Sequence, residues 1–169
     1  ARPGEKPNII TVAWAGTVCS APAMLSISVR KERYSYDILK ETGEFVVNLV
    51  TKDLVFATDY CGVKSGCDTD KFKEMKLPSQ HISAPGIAES PLNLECRVKQ
   101  VVELGSHDMF IAEIVGVTVD DRYMDAKGTF HLNDAKLVSY SHGTYFALGE
   151  ELGTFGYSVA KKKKAKKRK

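Results

Sequence analysis

Hydrophobic positions along the chain recur mostly with a period of two, the spacing of half-buried β-strands. In residues 93–104, Leu94, Cys96, Val98, Val102 and Leu104 share one parity, and Glu95, Arg97, Lys99 and Glu103 take the other. Residues 109–119 are apolar on both parities, which predicts a strand covered on both faces. Gly105-Ser106-His107-Asp108 reads as the hairpin turn between the two. Residues 8–14 (NIITVAW), 23–29 (AMLSISV) and 45–50 (FVVNLV) predict three further strands, with a loop over the small residues and proline of 15–22. A short helix is expected from Ser35, as cap, through Thr42, with Gly43 as its stop. A second helix runs from Asp53 to about Tyr60, ended by the glycine-bearing loop of 61–70. Residues 70–75 predict one or two helical turns, and the three prolines of 78–91 an ordered excursion. A last short strand near Leu137–Tyr140 precedes an aromatic segment over 142–159.

Short strands interrupted by two or three helices predict a mainly β single domain, a closed or partly closed β-barrel with helical insertions. A doubly wound α/β sheet is the alternative, but strand and helix cease to alternate from residue 93 onward. The length of 169 residues and the 43% hydrophobic content suit one domain with a core and exclude a disordered body. No apolar stretch approaches the roughly 18–20 residues that a membrane helix requires. The net charge of +3 hides an asymmetry. Residues 161–169 hold 8 of the 24 Lys and Arg, leaving 16 bases against 21 acids, a charge of −5 on the body. The division expected is therefore a domain over 1–159 and a disordered lysine-rich tail over 160–169. Nucleic-acid binding is not expected of the body, because its charge is acidic. The polar N-terminus lacks a charged-then-apolar leader, so reduced cysteines and a cytoplasmic location are expected. Cys61 and Cys67 lie close enough in sequence to meet, although spacing alone does not pair them.

Several common sites find no support. There is no GxGxxG after a strand, no GxxxxGK[ST], no HExxH and no CxxC pair, so a Rossmann site, a P-loop and a zinc centre are not expected. Ser106-His107-Asp108 is a run in sequence, whereas a catalytic triad is an arrangement in space. Two other features suggest a planar, phosphorylated ligand. Trp14, the one tryptophan, ends a predicted strand beside the small residues Ala15-Gly16-Thr17, which suits a slot for a flat ring. Read by itself, Trp14 fits core packing as well. Ser28 and Arg30 at a strand end, followed by Tyr34 and Ser35 at a helix start, offer hydroxyls, a guanidinium and free N–H groups to a phosphate. Strand termination and helix capping account for the same residues equally.

The stretches NIITVAWAGTVCSAP, SISVRKERYSYDILKETGEFVVNL, TDYCGVKSGCDTDKF, LECRVKQVVELGSHDMFIAEIVGV and HGTYFALG occur in order from about residue 7 to about residue 158. Together they resemble the flavin reductase-like, FMN-binding split-barrel family, in particular its flavoredoxin-like branch. The resemblance implies a split-barrel homodimer with one non-covalent FMN per subunit near the interface. It places Trp14 beside the flavin ring and the backbone of Thr11–Trp14, including Ala13, near the ring's polar edge. Ser28, Arg30, Tyr34 and Ser35 would gather at the phosphate, with Lys71 as a second cation. His107 would approach the ring or its ribityl chain, and Tyr145 would come from the C-terminal segment, in the same or the partner subunit. The chemistry is consistent, since a phosphate near dianionic charge suits paired cations, and a reduced flavin suits donors near N1. The sequence departs from the family in lacking a strand before Lys6, in having Ala23 where a second proline is usual, and in its lysine tail.

The implied activity is that of an FMN oxidoreductase, passing hydride or electrons from NADH, NADPH or another donor to a flavin, metal or protein acceptor. Alternatives are an FMN electron carrier with no nicotinamide site, a non-catalytic module whose tail binds nucleic acid, and a relative holding haem or a deazaflavin. No metal ligands and no membrane partner are expected.

Overall fold

Two 13-residue strands, Leu92–Leu104 and His107–Val119, pair along their whole length and form the spine of the molecule. The computed structural model describes residues 1–73, the backbone of 76–77, and 82–160. In chain order the strands are β1 (Ala15–Ser20), β2 (Ala23–Arg30), β3 (Glu44–Asn48), β4 (Lys76–Leu77), β5 (Gly86–Ile87), β6 (Leu92–Leu104), β7 (His107–Val119), β8 (Val138–Ser141) and β9 (Thr144–Ala147). The helices are α1 (Tyr34–Thr42) and α2 (Val55–Val63). One antiparallel sheet runs in the order β1-β2-β7-β6-β3, with β4–β5 and β8–β9 as separate two-stranded ribbons. Among the described residues, no helix is long and apolar enough to cross a membrane.

The core forms where the period-two residues of β2 and β7 meet. Leu25, Ile27 and Val29 pair with Ala112, Phe110 and Asp108, and this row is buried. Leu39 of α1, Phe45 of β3 and Cys96 of β6 close over it. β7 therefore has one parity buried over Asp108, Phe110 and Ala112 and is half-buried along most of the rest, with Val117 exposed, instead of the equal cover its composition predicts. In β6 the expected parity breaks. The register shifts between Val98 and Gln100, so Val101 packs on the core in place of Val102, and Leu104 is exposed. A bulge inserts one residue and reverses which face the following side chains take. A second register shift follows Glu95, with Val115 of β7 as its extra residue, and Glu95 itself is buried against expectation.

The N-terminal strand lies one segment later than predicted. Residues 8–14 lie outside the strands and end in a bend at Ala13–Trp14, while Ala15–Ser20, expected as loop, form β1. All six residues of β1 are exposed. An edge strand held by one backbone ladder needs no buried face and leaves no apolar pattern. Ile10 and Val12 look like strand residues because they pack on the core from outside the ladder. The hairpin turn is Gly105-Ser106 alone, with φ +64° at Gly105, and His107 and Asp108 already belong to β7.

Helix α1 starts at Tyr34 and stops at Gly43, whose φ of 64° and N–H bond to the Leu39 carbonyl (3.0 Å) are as expected of a terminator. Its cap position is Arg33, with no side-chain cap, so Ser35 lies inside the first turn and does not cap it. A 3₁₀ turn over Lys52–Leu54 leads into α2, which runs three residues past the predicted end. Residues 71–73 form a turn; 74–75, 78–81 and, of the expected tail over 160–169, residues 161–169 fall outside the described residues. The last predicted strand is β8, and the aromatic segment after it adds an unpredicted strand, β9, with which β8 forms a hairpin. All four cysteines are free.

Phe110, with 0% exposure, sits at the centre of the core. Replacing it with alanine is expected to destabilise the fold by about 3–5 kcal/mol, the usual cost of a large core cavity. Urea unfolding would show a lowered midpoint with an unchanged slope.

Candidate functional site

The outer face of β2 gathers the chemistry. With Leu25, Ile27 and Val29 facing the core, the alternation turns Ser28 and Arg30 to the other side. The ladder sets Arg30 directly opposite His107 of β7. The Ser28 N–H donates to the Trp14 carbonyl at 2.9 Å, which puts Trp14 next to Ser28. The Trp14 and His107 rings then meet edge to face, centroids 6.4 Å apart at 81°. Trp14 is 67% exposed, which rules out the core-packing explanation for it.

Beyond Arg30 the chain turns tightly, the Arg33 N–H bonding the Arg30 carbonyl (3.1 Å), and enters α1. This turn brings two arginines to the end of a helix whose first N–H groups lack intrahelical acceptors. Arg30 Nε holds Glu32 at 2.7 Å, and Arg33 donates to the Gly62 carbonyl at 3.1 Å. Ser35 is buried, and its hydroxyl accepts from Asn8 Nδ2 at 2.7 Å.

Residues 8–11 are fastened to this corner from several sides. Thr11 Oγ1 donates to the Thr58 carbonyl of α2 at 2.5 Å. Lys71 Nζ donates to the Ile9 carbonyl at 2.8 Å and to the Cys61 carbonyl at 3.1 Å. Burial lowers the pKa of the Lys71 ammonium from its ordinary value, with the neighbouring Cys61 opposing. Close approach here depends on glycine, since a Cβ on Gly66 would stand 2.0 Å from Asn8 Oδ1.

Two adjoining cavities result. The larger, about 670 Å³, is lined by Thr11, Ala13, Trp14 and Ser28 on one side. Arg30, Ser35, His107 and Tyr145 of the same chain also line it. The smaller, about 300 Å³, shares Arg30 and Ser35 with it and adds Tyr34 and Lys71. All ten residues singled out in the sequence thus line one cavity or the other. The smaller cavity is strongly basic. Arg30, Arg33, Lys64 and Lys71 line it against the single acid Glu32.

Arg33, Lys64 and Asn8 went unnoticed in the sequence. Arg33 had a signal, a cation immediately before a predicted helix, but Asn8 becomes significant only when the loop of 61–67 folds against it. Asp59 is a further addition, lining the larger cavity and accepting the Tyr145 hydroxyl at 3.2 Å. Burial, followed by that bond, raises the Tyr145 pKa. An aromatic slot that opens into a basic, donor-rich basin can hold a flat heterocycle with an anionic tail.

Residues 1–148 match the flavin reductase like domain. The chain belongs to the flavin reductase-like family. Its fold is the family's mainly β split barrel, in a single domain. Flavoredoxin of Desulfovibrio vulgaris (Miyazaki F) superposes with a TM-score of 0.83 at 32% identity, over 92% of this chain and 86% of that one. Flavoredoxin from Methanosarcina acetivorans gives 0.81 at 30% identity, over 90% and 85%. An uncharacterised protein of Archaeoglobus fulgidus is 36% identical over 126 residues, 73% of this chain and 71% of that protein.

The cysteines of this family member differ in access. Cys19 and Cys67 are exposed, whereas Cys61 and Cys96 are buried. Burial pushes the Cys61 thiol up and the Cys96 thiol to about 12. Iodoacetamide on the native chain should label Cys19 and Cys67 at once and reach Cys61 and Cys96 only on unfolding, as read by peptide mass spectrometry.

Proposed function

We propose that the chain is an FMN-binding oxidoreductase, accepting hydride or electrons from a reduced nicotinamide or another donor and delivering them to a flavin, metal or protein acceptor. The observation that carries this reading is the continuity of the exposed Trp14–His107 slot with the basic basin at the start of α1. The donor set fits FMN, because a flat ring needs an aromatic wall and a phosphate needs hydroxyls and cations within one turn of chain. When bound, FMN supplies hydride and one-electron chemistry at its ring.

The protein's part is to bind, orient and shield. Trp14 walls the ring, and the backbone of Thr11–Trp14 offers polar groups to its edge. Ser28, Arg30 and Ser35 receive the phosphate, with the N–H groups at Tyr34 and Ser35 adding the helix-start field. Lys71 contributes its charge, while its two carbonyl bonds also make it the tie that holds residue 9 to residue 61. His107 would donate toward the ring or ribityl chain, and Tyr145, bonded to Asp59, would add a further part of the cavity wall.

A homodimer is part of the proposal. Trp14, Phe56, Leu152 and Phe155 are large apolar side chains exposed on the single chain, and a second copy would cover such residues. The free thiols suit a cytoplasmic setting.

Replacing both Arg30 and Lys71 with alanine is expected to lower FMN affinity by several kcal/mol, each charge-assisted contact being worth roughly 1.5–3 kcal/mol. Equilibrium dialysis measures it, and undiminished occupancy would refute the phosphate seat. Stopped-flow mixing of the flavin-loaded protein with NADH or NADPH distinguishes a reductase from a carrier. Rapid bleaching of the bound flavin is the result expected of a reductase. A spectrum that does not change with either nucleotide would leave the electron-carrier reading.

A further inference from the structure

Three of the residues assigned to the ligand, Arg30, Ser35 and His107, are each followed in sequence by a member of one polar cluster: Lys31, Tyr36 and Asp108. The Tyr36 hydroxyl donates to Asp108 Oδ2 at 2.5 Å across 72 positions of sequence, and Lys31 Nζ stands 3.4 Å from Oδ1. We propose that Lys31, Tyr36 and Asp108 form a positioning clamp, which locks the start of α1 to the start of β7 and so holds Arg30, Ser35 and His107 in register for the phosphate end of the ligand. The clamp rests on the flavin reading above.

Asp108 is 0% exposed, and a buried carboxylate is costly unless partnered. Oδ1 faces the Lys31 charge without a hydrogen bond of its own, so Tyr36 is the direct anchor. The Tyr36 ring is itself held, edge-on to Phe110 at 6.0 Å and under Lys40 Nζ at 5.8 Å. An apolar pair would fill the same space at lower cost but would leave α1 free to slide along the sheet. A short bond between two restrained groups gives direction as well as cohesion.

Neither Tyr36 nor Asp108 lines the two cavities, so both act through their chain neighbours. The bond holds the Asp108 carboxyl below its usual range and pushes the Tyr36 hydroxyl up to about 12. Donor and acceptor therefore keep their roles across neutral pH, which suits a permanent brace.

The test compares FMN with riboflavin, which has the same ring and no phosphate. Tyr36→Phe keeps the ring and removes the hydroxyl. Its expected effect is FMN affinity weakened about tenfold with riboflavin affinity unchanged, both by fluorescence titration, and native circular dichroism. Lys31→Gln, at a half-exposed position that folding tolerates, is expected to weaken FMN a few-fold and spare riboflavin. Equal weakening of both flavins would show cohesion without positioning and overturn the clamp, as would unchanged FMN affinity in both variants. A parent chain that binds neither flavin would overturn the flavin reading, and the clamp with it.

Discussion

The register of β2 against β7 is the constraint on which the rest of the molecule depends. Because side chains alternate across a strand, one choice of pairing buries Leu25, Ile27 and Val29 against Ala112, Phe110 and Asp108 and also sets Arg30 beside His107. A slip by one residue would send the apolar row to solvent and the guanidinium into the core. Burial of the hydrophobic row thus specifies the functional face, and no separate interaction is needed to orient it. The two-residue turn at Gly105-Ser106 reinforces the register, since its left-handed first residue holds the ends of β6 and β7 in line.

Departures from regularity then shape the pocket around that face. The edge strand β1 has no buried face, which allows the preceding residues 8–14 to leave the sheet and run beside α1 and α2. There they are tied by Asn8 to Ser35, by Thr11 to Thr58 and by Lys71 to the Ile9 carbonyl. Gly66 lets the loop approach Asn8 without collision. Register shifts at Lys99 of β6 and Val115 of β7 let two strands much longer than β3 stay paired while following the curvature of the core.

Charge is distributed by the same logic. The acidic body concentrates Arg30, Arg33, Lys64 and Lys71 around one small basin, so the local field opposes the overall one. On the proposed reading an anion would be drawn to that corner, where a helix start and a cationic turn coincide. Family membership and the geometry agree here. Split-barrel relatives share the scaffold, and this chain's own residues supply an exposed aromatic pair and a basic basin beside it.

Much of this could be read from the sequence. Alternating or continuous apolar runs located β2, β6 and β7, Gly43 marked the end of α1, and the order of motifs identified the family. The residues read as ligand groups, from Thr11 to Tyr145, do converge on two adjoining cavities. Periodicity was informative wherever a strand has one buried face, because burial itself writes the pattern. It failed at β1, which is exposed throughout, and at Val98–Val101, where a bulge reverses the phase within one strand. Only the tertiary structure decided that Ser35 is clasped by Asn8 and does not cap its helix, that Trp14 faces outward, and that Tyr36 meets Asp108. Those contacts join segments from 27 to 93 positions apart, and pairing over such distances depends on how the sheet curves and closes, which no local run of residues specifies.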